Sequence, residues 1–112
     1  MWVDERRTLW EERNRDIWQL PIVSSDGEYC GNVIAQIVEP REYMVRYLVV
    51  FSEDQQKHFL LPSDTVERID QVVKCQVNAA HLKALPPFHR QVSRQLEEQI
   101  YEVVRRTPYW EL

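Results

Sequence analysis

The residue types that could do chemistry are present in this sequence, but not in the spacings that chemistry needs. Three histidines, His58, His81 and His89, are the first candidates. A metal pair on a helix needs ligands one turn apart with further ligands nearby. His81 and His89 are instead separated by Pro86 and Pro87. Acid–base or glycosidase chemistry needs two carboxylates facing one cleft. Asp64, Glu67 and Asp70 are close in sequence, yet they flank expected turns, where acidic residues solvate and cap the backbone. Ser24, Ser25, Ser52 and Ser63 all fall in turns, with no nucleophile-elbow motif around them. A phosphate-cradling loop needs several glycines, and the chain has only Gly27 and Gly31. The expectation is a protein that is not an enzyme, with no metal, no cofactor and no small-molecule substrate.

Binding is the remaining class. Arg41, Arg46, Arg90, Arg94, Arg105 and Arg106 are the basic candidates for nucleic acid, but acidic residues are interleaved with them. The formal net charge of −4 opposes phosphate binding. Aromatic residues are more suggestive. The chain holds four Trp and five Tyr, and Trp2, Trp10, Tyr109 and Trp110 crowd its two ends. Two readings stand side by side. These four side chains fold back and staple the domain, or they form an aromatic contact surface for a protein partner or a second copy of the chain.

The elements that must position these residues follow from pattern. A chain of 112 residues fits one domain with an ordinary core. Residues 1–16 read as a polar N-terminal arm with a thin apolar face. Pro21-Ile22-Val23 leads into Ser24-Ser25-Asp26-Gly27, a turn signal in which Gly supplies positive φ. Tyr29 to Val38 reads as a strand, with Gly31 marking a bulge or tight bend. Glu39-Pro40-Arg41-Glu42 breaks the run. Met44 to Phe51 is the clearest strand, because it is β-branched and aromatic. Lys57 to Leu61 comes next and is stopped by Pro62. Val66 to Ile69 pairs with Val73 to Val77 across Asp70-Gln71. Short strands joined by short turns leave no room for a βαβ crossover and predict a small barrel or sandwich over residues 17–78.

After the barrel the period changes. Asn78 caps a short helix through Leu85, which Pro86-Pro87 stops. Ser93 caps a second helix to about Arg106, with Leu96, Ile100, Val103 and Val104 on one face. Glu97 and Glu98 early and Arg105 and Arg106 late complement the helix dipole. Residues 79–112 thus form a helical extension ending in the aromatic tail. Cys30 and Cys75 lie in apolar runs and read as two buried thiols, or as a disulfide if their strands are neighbours. The charged N-terminus does not resemble a signal peptide, and no apolar run nears the about 20 residues needed to span a bilayer. Together these features predict a cytoplasmic protein.

The ordered series Arg15-Asp16, Ser25-Asp26-Gly27, Gly31-x-Val33, Arg46-Tyr47-Leu48-Val49-Val50, Leu60-Leu61-Pro62, Val66 and Ile69-Asp70 resembles the PRC-barrel family. Leu85-Pro86-Pro87-Phe88, Ser93-Arg94, Glu97-Glu98, Tyr101 and Pro108-Tyr109-Trp110 resemble the helical extension of its stand-alone bacterial members. The resemblance implies a mainly β fold with C-terminal helices, a partly open barrel of about six strands. It assigns Asp26, Gly27, Gly31 and Pro62 to turns and barrel corners. It implies a docking module that binds protein without catalysis. The family's best-known settings are the cytoplasmic domain of the photosynthetic reaction-centre H subunit and the C-terminal domain of the small-subunit ribosome-maturation factor. A soluble reaction-centre-like subunit and an RNA-processing accessory are therefore the alternative expectations. The sequence differs from these settings in lacking the H subunit's transmembrane helix and the maturation factor's N-terminal domain. Its Ser52 to Lys57 turn is short, and Phe51 replaces an Asp common after the strand.

Overall fold

The structure is a computed structural model that describes residues 2–3, 17–39 and 44–112. Trp10, Arg41 and most of the expected N-terminal arm lie outside the described residues. The described strands are β1 (Trp2–Val3), β2 (Pro21–Val23), β3 (Tyr29–Glu39), β4 (Met44–Ser52), β5 (Lys57–Pro62), β6 (Val66–Ile69) and β7 (Val73–Cys75). Two α-helices, α1 (Ala79–Ala84) and α2 (Arg94–Val104), and two 3₁₀ turns, Ser63–Thr65 and Tyr109–Glu111, complete the described elements.

The strands make one mixed sheet in the order β5-β4-β3-β2-β7-β6, with β1 pairing beside β2 on β3. Most pairs are the antiparallel neighbours that short turns dictate. The exception is β2 with β7, which pair in parallel through Ile22↔Val73 and Val23↔Lys74. This long-range pair curls the sheet. The sheet's two ends, β5 and β6, are consecutive in the chain and joined by a single 3₁₀ turn, Ser63–Thr65. They do not pair with each other, so the barrel is partly open at that seam. Side chains tie the turn down: Ser63 Oγ donates to Val45 O at 2.7 Å and Thr65 Oγ1 to Pro62 O at 2.7 Å. Pro62 lacks an N–H, which an edge strand tolerates at its end. Ile22, Val33, Val50, Phe59, Leu61 and Val73 are among the fully buried core residues.

Two glycines are expected at corners, and the structure gives each a distinct reason. Gly27 has φ +88 and closes the β2–β3 turn, its N–H donating to Ser24 O at 3.0 Å. Gly31 has φ +135, and a Cβ there would lie 2.6 Å from Phe51 O and 2.8 Å from Val50 Cγ1. The β3 backbone therefore approaches β4 more closely than any other residue type allows. The β2–β3 register slips beside it, between Ile22 and Val23.

The helices are tied to barrel loops by capping. Asn78 accepts from His81 N at 2.8 Å and Ser93 from Leu96 N at 3.1 Å, as N-caps do. Asp26, in the β2–β3 turn, accepts from Ser24 Oγ and from Ala79 N at 3.0 Å, the first residue of α1. At the other end of α1, Lys57 Nζ donates to Lys83 O at 3.1 Å and Leu85 O at 2.6 Å, satisfying terminal carbonyls. Both helices end earlier than the pattern predicts. Leu85 is extended before Pro86, and Arg105 takes the left-handed conformation at φ 59, which terminates α2. Arg105 and Arg106 thus lie beyond the helix rather than in its last turn.

The cysteines follow the thiol reading rather than the disulfide. Cys75 is buried and Cys30 is half-buried, and both are thiols. β2 lies between their strands, so two inter-strand spacings, about 9–10 Å, separate them. A disulfide bridges Cα atoms less than about 7 Å apart.

Gly31→Ala is expected to destabilise the protein by about 2–4 kcal/mol, read from the urea midpoint, because backbone rather than a movable side chain opposes the new methyl. The hydrogen bond from Ser24, then that from Ala79 N–H, holds the Asp26 carboxyl below its ordinary 3.8. A lowered carboxyl contributes stability above its unfolded value that is lost as pH falls through the folded one. Thermal unfolding below about pH 4 should therefore be less steeply acid-sensitive in Asp26→Asn than in the parent chain.

Candidate functional site

Helix α2 places Glu97, Ile100, Tyr101 and Val104 on one buried stripe, the spacing of successive turns. Glu97 is only 3% exposed, unusual for a carboxylate. Its Oε2 accepts from Tyr47 Oη on β4 at 2.8 Å and from Tyr109 Oη in the tail at 2.8 Å. Its Oε1 lies 3.8 Å from Arg94 Nε. Burial, then the bond to Glu97, pushes the Tyr47 phenol far above its ordinary 10.0, and the same causes raise Tyr109. Burial, followed by the charge of Asp64, raises Tyr101.

Aromatic rings close over this carboxylate. Trp110 meets Tyr101 edge-on at 5.6 Å and Tyr109 edge-on at 5.0 Å. The Arg46 guanidinium lies 4.0 Å from the Tyr109 ring centre, and that of Arg94 lies 3.8 Å from the Trp110 ring centre. Both are cation–π contacts. Tyr109 and Trp110, expected as either staple or contact surface, are half-buried against their own helix. Trp2 forms backbone pairing with Val38 in β1, and Trp10 lies outside the described residues.

A second aromatic surface escapes the sequence reading. Trp18 is 48% exposed and Tyr29 57% exposed. One asparagine links Tyr29 to the backbone beside Trp18. Tyr29 Oη donates to Asn32 Oδ1, and Asn32 Nδ2 donates to Gln19 O at 2.9 Å, next to Trp18. Gln19 sits in the left-handed region at φ 66, and its N–H donates to Val33 O at 2.7 Å. Asn32 faces Phe51 across the sheet, and Phe51 faces His58, whose rings lie 4.9 Å apart. Tyr29 also borders a shallow recess lined by Glu53, Asp54 and Lys83. In the sequence Tyr29 reads only as the start of a strand and Trp18 carries no signal, so only their exposure in the fold marks them.

The chemistry-bearing residues weighed from the sequence are dispersed. His58 and His89 are exposed and His81 is half-buried on α1. Asp70 accepts from Val72 N at 3.1 Å, a turn contact. Among the described residues, no three His, Cys, Asp or Glu side chains gather as a metal site would require. No helix among them is long and apolar enough to cross a membrane.

The sequence profile of the PRC-barrel domain matches residues 11–82, more than half of the chain. The chain belongs to the PRC-barrel family. No curated protein matches it. The PRC-barrel match takes in the whole sheet from β2 to β7 together with the start of α1, and stops before α2 and the tail. The Glu97 cluster therefore joins the family barrel, through Tyr47, to an extension beyond the matched span.

Tyr47→Phe and Tyr109→Phe should each lower the unfolding free energy by about 1–2 kcal/mol. The double variant should cost more than their sum, because Glu97 Oε2 then loses both phenol donors while buried. Urea titrations of the four proteins of the cycle give the coupling directly. The raised phenols also fix an alkaline limit. The unfolded chain releases these protons near 10.0 and the folded chain does not, so stability present below that pH declines above it. The urea midpoint should fall between about pH 9.5 and 11, and less steeply in Tyr47→Phe.

Proposed function

We propose that this chain is a non-catalytic docking module that binds another protein through the surface around Trp18 and Tyr29. Membership of the PRC-barrel family supports a small module of the protein-interaction type. The observation that carries the choice of surface is the contrast between the two aromatic clusters. Tyr109 and Trp110 are engaged with Tyr101, Glu97 and Arg94 of their own chain. Trp18 and Tyr29 are about half exposed, and Asn32 ties the Tyr29 hydroxyl to the Gln19 backbone that follows Trp18. Ordered aromatic side chains lose little conformational freedom on binding and make effective anchors. In this reading the tail staples the domain and the barrel face meets the partner.

Chemical cross-linking of the full chain in native lysate, coupled to mass spectrometry, tests the proposal. Cross-links to a different protein are expected, with their yield reduced about tenfold or more in a Trp18→Ala/Tyr29→Ala variant. Recovery of the chain linked only to itself, or a yield indifferent to those substitutions, would sink it.

A further inference from the structure

The charge around Trp18 and Tyr29 states which chemistry can sit on them. Glu28 adjoins Tyr29 in sequence, and Glu53 and Asp54 line the same recess as Tyr29. All three are exposed. Two lysines border this region, and both are already engaged. Lys57 Nζ caps α1 through Lys83 O and Leu85 O, and Lys83 Nζ lies 3.6 Å from Glu28 Oε2. Among the described residues, Glu53 and Asp54 carry no ion pair. Tyr29 thus has an acidic rim, Glu53 and Asp54, that carries no ion pair among the described residues.

We infer that the Trp18–Tyr29 surface binds a cationic, partly apolar segment of a partner protein. The inference rests on the docking reading and deepens it. A cation approaching the rim gains from Glu53 and Asp54 and can stack on the exposed ring faces, as Arg94 already does on Trp110. The same sign opposes other occupants. A second copy placed symmetrically would bring like charges together. Nucleic acid and anionic membrane surfaces carry the charge that the rim repels. The recess beside Tyr29, with a volume of about 20 Å³, is too small to enclose an organic ligand. An extended segment lying across the aromatic face uses the surface that is available.

The test is a titration of the ¹⁵N-labelled full chain with a capped peptide of alternating Arg and Leu, monitored by amide chemical shifts. Saturable shifts are expected at Trp18, Gln19, Tyr29, Asn32, Glu53 and Asp54. Raising salt from about 0.05 M to about 0.5 M should weaken binding several-fold. A Glu53→Lys/Asp54→Lys variant, which alters only exposed loop positions, should weaken it about tenfold or more. Equal binding of the matching Glu–Leu peptide, no saturable binding at these residues, or indifference to the charge reversal overturns the inference. So does binding of a single-stranded oligonucleotide or of anionic vesicles at the same amides, or a concentration-dependent shift there without peptide. If cross-linking finds a partner while the peptide does not bind here, the docking reading stands and the cationic segment falls. If neither is seen, both fall.

Discussion

One buried carboxylate holds the barrel, the second helix and the tail together. Glu97 is carried by α2, but its hydrogen-bond donors come from β4 and from the segment after Pro108. A carboxylate enclosed by protein costs several kcal/mol unless donors surround it. Its two phenol contacts therefore constrain the position of three parts of the chain at once. The Tyr101, Tyr109 and Trp110 rings pack against one another around the tail that this constraint holds. Arg46 lies over the Tyr109 ring and Arg94 over the Trp110 ring.

The attachment of α1 is organised by capping rather than by a buried charge. Asp26 meets the start of α1 and Lys57 meets its end, so a helix of only six residues is held by two barrel loops. An isolated helix of that length has no stability of its own. These contacts fix the loops that flank Tyr29, while Asn32 fixes Tyr29 and the Gln19 backbone.

Much of this fold is legible in the sequence. The alternation and turn residues from Pro21 to Cys75 identify strands that the structure confirms to within a few residues. Asn78 and Ser93 mark both helix starts through a local interaction between side chain and backbone. Helix ends are less legible. Leu85 is extended because Pro86 comes next, and Arg105 ends α2 by turning left-handed, a conformation that no local pattern marks. In the sequence Glu97 reads as a dipole partner on a solvated turn. The signal that it is buried is its i, i+3, i+4 and i+7 relation to Ile100, Tyr101 and Val104. A charged residue in such a stripe is ordinarily read as its solvent margin.

The information carried by the sequence itself is therefore local: the strands, the turns at Gly27 and Gly31, the helix caps and the membership of the family. Apart from the family membership, which rests on an ordered series of residues along most of the chain, each depends on residues a few positions apart, whose steric and hydrogen-bonding preferences act before the chain folds. The parallel pairing of β2 with β7, the seam between β5 and β6, and the separation of Cys30 from Cys75 emerge only in three dimensions. So does the division of the aromatic residues into engaged and exposed. Tyr47 and Tyr109 are 62 positions apart in sequence and share one carboxylate oxygen, whereas Tyr29 and the Gln19 backbone meet at a single asparagine. Such meetings depend on how the sheet curls, and no periodicity within a strand or helix encodes that.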